Sequence, residues 1–154
     1  VILVKYLALQ QFIKQYGEDD DFTGGVSEDK VRETEQKLQV SLPESYKWFL
    51  RNYGYGGFFG VDIIGYGFTG PAVVDATKGH QKYYDLIDGL VVIEDIDEFA
   101  YCLDTNKMKN GECPVITWDN QEGYGFTVAD NFLDYLIESL EEAKEEWDED
   151  EEDW

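Results

Sequence analysis

A net charge of −22, from 34 acids against 12 bases on 154 residues, sets the first limit on what this chain can become. Like charges at that density oppose compaction, so folding requires a large apolar area to offset both repulsion and chain entropy. The chain carries that area: 9 Phe, 11 Tyr and 4 Trp, within a hydrophobic share of 43%. Acidic chains that stay disordered are poor in aromatics. This one is expected to fold, and its length suits one domain with a core of its own. The same field repels nucleic acid and anionic membrane surfaces and draws basic partners in. Residues 1–9 carry Lys5 and no small-residue cleavage site, and no apolar run reaches bilayer length. The expected compartment is therefore the cytoplasm. Cys102 and Cys113 are the two cysteines, read as reduced, half-buried thiols rather than a disulfide framework.

Periodicity divides the chain into a helical first third and a β-rich middle. Tyr6, Leu7 and Ile13 recur at helical spacing over residues 3–16, and Gly17 ends that segment. Ser27 is placed to cap a second helix with Glu28 and Asp29 in its first turn and Val31 and Leu38 inward. Pro43 opens a third helix that buries Tyr46, Phe49 and Leu50 and stops at Gly54. Residues 58–66, FFGVDIIGY, read as a strand, as do residues 90–94. Residues 99–103 and 115–118 flank a polar loop with an Asn110-Gly111 turn signal and read as a hairpin; residues 124–128 add a short strand. A last helix runs from about residue 130 toward 147, with Phe132, Leu136 and Leu140 on one face. Helices, then strands, then a helix is the order of an α+β domain, with a twisted, mainly antiparallel sheet packed against N-terminal helices and a C-terminal helix. The expected domain is 1–147. Residues 148–154 are expected to leave the helix as an acidic tail, since carboxylates at a helix C-terminus oppose the macrodipole. Trp147, just before that tail, and Trp154, at its end, add aromatic character suited to a contact surface.

Three patterns resemble sites and fail on inspection. Gly65-Tyr66-Gly67-Phe68-Thr69-Gly70 matches GxGxxG after an expected strand and before a possible helix at 72–84. Pro71 directly after the third glycine starts the helix too late to present amides to a pyrophosphate, and Asp62 interrupts the preceding strand. It reads as a glycine-rich turn between sheet and helix. Asp19-Asp20-Asp21-Phe22-Thr23-Gly24 has the opening of a calcium loop, but the twelfth position, where a bidentate carboxylate belongs, is Lys30. His80 is the sole histidine, in the polar stretch TKGHQK, and reads as a surface imidazole. No catalytic residue, metal ligand or cofactor site is assigned.

The third helix carries a resemblance. Glu35-x-x-Leu38, then LPESYKWFL at 42–50, then Asn52, Gly54, Gly56 and Gly57, look like the signature of the SUKH superfamily, which includes fungal regulators of glucan synthesis and bacterial immunity proteins. The remaining order, LVVIEDIDEFAYCLDTNKMKNGECPVITWD, then VADNFLDYL, then an acidic end, is similar to the YobK-type immunity proteins of LXG toxins. Ser45 departs from the pattern, which usually has an acid before the tyrosine. The resemblance implies an α+β fold and a non-enzymatic antitoxin role in the cytoplasm: binding and silencing a cognate toxin C-terminal domain that is basic and of nuclease type. The alternative is a regulatory or scaffold domain of the same fold that recognises another basic protein. Neither reading involves nucleic acid or membrane, and the oligomeric state stays open. The acids expected at the partner face are Glu35, Asp62, Glu94, Asp95, Asp97, Glu98, Asp104 and Asp119, with Tyr55, Tyr66 and Trp118 as exposed aromatic anchors.

Overall fold

Four helices, a four-stranded sheet and a final helix follow one another along the chain. The computed structural model describes residues 2–152: α1 (Ile2–Tyr16), α2 (Glu28–Leu38), α3 (Glu44–Asn52), α4 (Ala72–Tyr84), β1 (Leu90–Ile96), β2 (Phe99–Asp104), β3 (Val115–Asp119), β4 (Gly123–Ala129) and α5 (Phe132–Glu152), with short 3-10 turns at Asp19–Asp21 and Thr105–Lys107. The sheet is an antiparallel meander in the order β1-β2-β3-β4. The α+β expectation holds, in a single domain.

The register decides which helix covers which face. Ala100 pairs with Trp118 and Cys102 with Ile116 on one face, and the Trp118 indole Nε1 donates to the Tyr84 carbonyl of α4 at 3.2 Å. Tyr101 pairs with Thr117 on the other face, where its ring meets Tyr135 of α5 at 5.3 Å between centroids. With helices on both faces, β1 is buried from Leu90 to Glu94 instead of alternating. A bulge in β1 leaves Ile93 without a partner between the Val92–Cys102 and Glu94–Tyr101 pairs. Thr77 of α4 takes up the Val92 N–H at 3.0 Å, so this buried donor is satisfied from outside the sheet.

The signature helix α3 sits at the centre of the core. Tyr46, Phe49 and Leu50 are fully buried, and the rings of Tyr46 and Phe49 meet Phe132 of α5 at 5.2 and 5.8 Å. The departure at Ser45 has a structural answer. Glu112, from the loop before β3, accepts the Ser45 N–H at 3.0 Å and its hydroxyl at 2.6 Å, so the carboxylate at this helix start comes from elsewhere in the chain. At the other end Gly54 adopts φ +76, and a Cβ there would lie 2.1 Å from the Gly24 carbonyl oxygen. Only glycine fits.

Several expectations need correction. No strand forms over 58–66; the segment is a loop with isolated bridges, in which Phe59 takes φ 56 and Val61 N–H turns back to the Phe58 carbonyl. Its apolar character reflects burial of Phe58, Ile63 and Ile64 in the core, not sheet pairing. In α1 the inward residues are Leu9 and Ile13, while Leu7 is exposed. His80 is buried, not superficial, with Nδ1 3.0 Å from the Ala76 carbonyl one turn back. Both cysteines are fully buried and free, and burial pushes each thiol up to about 12. The last helix does not stop near residue 147: α5 continues to Glu152, held along its exposed stretch by the i,i+4 pairs Lys144–Asp148 and Trp147–Glu151. Trp154 lies outside the described residues.

Candidate functional site

The two hairpin turns are bound together at one end of the sheet. Asn120, in the β3–β4 turn, donates its side-chain amide to the Asp97 carbonyl at 2.6 Å and its backbone N–H to the Glu98 carbonyl at 3.0 Å. Asp97 holds the β1–β2 turn through a left-handed conformation, φ 59, that aspartate tolerates better than most residues. Asp119 accepts the N–H groups of Gln121 and Glu122 at 2.8 and 3.0 Å. Those donors, Glu122 first, hold its carboxyl below the usual carboxylate range. Asp95, Asp97, Glu98 and Glu122 are exposed beside it.

Residues 62–64 run along the free edge of β1, with Ile64 N–H donating to the Ile93 carbonyl. This brings exposed Asp62 to the same end, where its N–H lies 3.4 Å from a Glu94 carboxylate oxygen. Tyr55 stands beside Asp62, and burial followed by the Asp62 charge raises its hydroxyl pKa. Among the described residues, the ion pairs all lie on α1, α2, α3 and α5; none reaches this end of the sheet.

From that end a cleft runs between α5 and the sheet. Glu94 forms its floor at only 6% exposure, receiving the Tyr135 hydroxyl at 2.5 Å. Burial holds the Glu94 carboxyl above its ordinary range, against the opposing pull of the Tyr135 hydroxyl and the Asp62 N–H. The cleft has two lobes of ≈ 230 and ≈ 370 Å³ that share Tyr101, Tyr135, Ser139 and Glu142. Phe59 and Glu146 close the first; Phe126 and Glu138 border the second. Phe126 is 67% exposed at the lip, and Trp147 leans against Phe59 nearby.

The eleven residues expected at a partner face divide into three groups. Asp62, Glu94, Asp95, Asp97, Glu98 and Asp119 are brought together at the hairpin end, with Tyr55 behind Asp62. Glu35 is elsewhere, on α2, accepting the Leu42 N–H at 2.8 Å; it fixes the turn into α3 and so explains its place in the signature. Tyr66, Asp104 and Trp118 are not exposed. Tyr66 is buried with its hydroxyl on Glu33, and Asp104 accepts the Tyr124 hydroxyl at 2.6 Å at the opposite end of β2. The glycines around Tyr66 likewise serve the fold: Gly67 and Gly70 bond each other's carbonyls, so those amides are spent within the turn. Tyr101, Tyr135, Ser139 and Glu142 were missed. The signal for the last three was the second stripe of α5, at 135, 139, 142 and 146, beside the apolar stripe; Tyr101, on β2, had none.

No described helix is long and apolar enough to cross a membrane, and no group of three or more His, Cys, Asp or Glu among the described residues is arranged to hold a metal. What the geometry offers is an anionic, aromatic-lined surface for a cation. A curated relative, the uncharacterised protein YnaB of Bacillus subtilis (strain 168), is 31% identical over 91 residues, 58% of this chain. The match likewise spans 58% of YnaB's own length. The family described as SMI1-KNR4 cell-wall, SUKH_5, matches residues 9–141, which take in the signature helix, the whole sheet and α5 as far as Glu141, and the chain belongs to that family.

Proposed function

We propose that this chain is an immunity protein: a non-enzymatic binder that neutralises a cognate secreted toxin, of nuclease type, inside the cell that makes it. The observation that carries the reading is the hairpin end of the sheet, where Asp62, Asp95, Asp97, Glu98, Asp119 and Glu122 gather with no basic side chain among the described residues paired to them. A nuclease binds its substrate through a cationic groove, and such a surface is complementary to one. The net charge of −22 adds long-range steering, which speeds capture of a toxin before it acts. Membership of SUKH_5 supports the class, since the wider superfamily includes immunity proteins.

The reading is tested by adding the purified chain to the toxin's catalytic domain during nucleic-acid cleavage. Inhibition should be complete near one equivalent and weaken as salt rises. Undiminished cleavage with the chain in excess and folded would refute it.

A further inference from the structure

Glu94 is a buried carboxylate with no cation paired to it among the described residues. Its oxygens receive a tyrosine hydroxyl and, at 3.4 Å, a backbone N–H, while no ion pair among the described residues includes it. A desolvated acid without a cation is costly. This one also opens into a cavity, with Glu142 on the helix above and the rings of Tyr101 and Tyr135 forming the wall. Its two hydrogen bonds serve the fold, but a neutral acceptor would make them as well; they leave the charge itself without a partner.

We propose that the cleft between α5 and the sheet is a socket for an arginine side chain of the protein partner, with Glu94 at its floor, Glu142 at its mouth, and Tyr101 and Tyr135 as its aromatic wall. The claim rests on the proposed function for the occupant being a protein; the chemistry of the socket does not. A guanidinium suits each feature. It is planar and weakly hydrated, so it enters a half-dry cleft at less cost than an ammonium and lies against tyrosine rings. Its several N–H groups can bond Glu94, Ser139 and Glu142 at once, where a lysine has one point of charge. Exposed Phe126 and Trp147 stand at the lips, placed to exclude water around a seated side chain.

The test needs no toxin. The ¹⁵N-labelled chain is titrated with N-acetyl-arginine amide, with the citrulline amide as its neutral isostere. Saturable shifts centred on residues 94, 101, 135, 139 and 142 are expected with arginine, and none with citrulline. Glu94→Gln keeps an acceptor for the Tyr135 hydroxyl and should weaken arginine binding about tenfold, the loss of one charge-assisted contact. Glu149→Gln, an exposed acid outside the cleft, should leave binding unchanged. Should Glu94→Gln fold poorly, Glu142→Gln at the exposed mouth gives the same reading with a smaller loss. Shifts spread over the whole acidic surface, equal binding of citrulline, or full binding by both glutamine variants would overturn the socket. Such a failure leaves toxin neutralisation intact, whereas a failed neutralisation assay leaves the arginine titration unchanged.

Discussion

Removing one oxygen atom from Tyr46 is a sharp test of how the signature helix organises the fold. Tyr46 has no exposed surface, and its hydroxyl donates to the Ile64 carbonyl at 2.6 Å, fastening α3 to the loop that runs along β1. Tyr46→Phe keeps the ring against Phe132 and Phe49 but leaves that buried carbonyl without its donor. The cost is the desolvation of an unpaired acceptor, about 1–3 kcal/mol. Tyr46→Ala also empties the ring's space and should cost about 3–5 kcal/mol, so the difference between the variants isolates ring packing. Burial drives the Tyr46 hydroxyl far above the ordinary tyrosine range, so it remains a donor in mildly alkaline buffer and the Phe cost should not change there. Urea unfolding followed by Trp fluorescence gives both values, and amide exchange should show Ile63 and Ile64 losing protection first in Tyr46→Phe. A Tyr46→Phe variant within about 0.5 kcal/mol of the parent would show that the hydroxyl does not fasten the loop.

Three further outcomes follow from the site and its supports. Glu94 has a folded-state pKa above the ordinary 4.5, so its ionisation penalises the folded state above that value and the penalty is relieved as pH falls from the raised value toward it; urea midpoints of the parent should rise relative to Glu94→Gln over that window, whereas parallel curves would contradict the assignment. Glu112→Ala should cost about 1–2 kcal/mol by stripping Ser45 at the start of α3 of its acceptor, and an unchanged midpoint would show that the Glu112 contacts carry no stability. In surface plasmon resonance at two salt concentrations, reversing Asp95, Asp97 and Glu98 should speed dissociation from the toxin domain, while truncation after residue 147 should mainly slow association. The opposite pattern would move the binding element to the end of α5.

The fold was legible where a local pattern and the tertiary environment demand the same thing. The α3 segment is helical by spacing and buried by residue type, and the Asn110-Gly111 turn joins two β-rich runs that do pair. Residues 58–66 misled because an apolar run reports burial and says nothing of hydrogen-bond partners; here the backbone doubles back at Phe59 and feeds side chains into the core. His80 misled for the converse reason. Its neighbours Lys78 and Gln81 are polar, yet Val73, Thr77 and His80 fall on one face of α4 and are buried together.

The candidate site was half legible. Acids at the hairpin turns could be guessed from strand order, since the first and third turns of a four-stranded meander lie at one sheet end. Tyr66 and Trp118 could not, because an aromatic beside glycine or in a strand fits a core as well as an interface, and only the packing of α2 and α4 chose. The cleft depended on two segments far apart in sequence, β1 and α5, meeting at Glu94 and Tyr135. No local pattern records such a meeting.

Neutralisation in a living cell is the decisive experiment. The toxin domain that the proposed function requires is induced in a sensitive host with and without the chain, and survival is counted. Co-expression should restore growth and the two proteins should copurify as a stoichiometric complex, with growth lost again when Asp95, Asp97 and Glu98 are all reversed to lysine. Continued killing despite abundant, folded chain and no complex would contradict it.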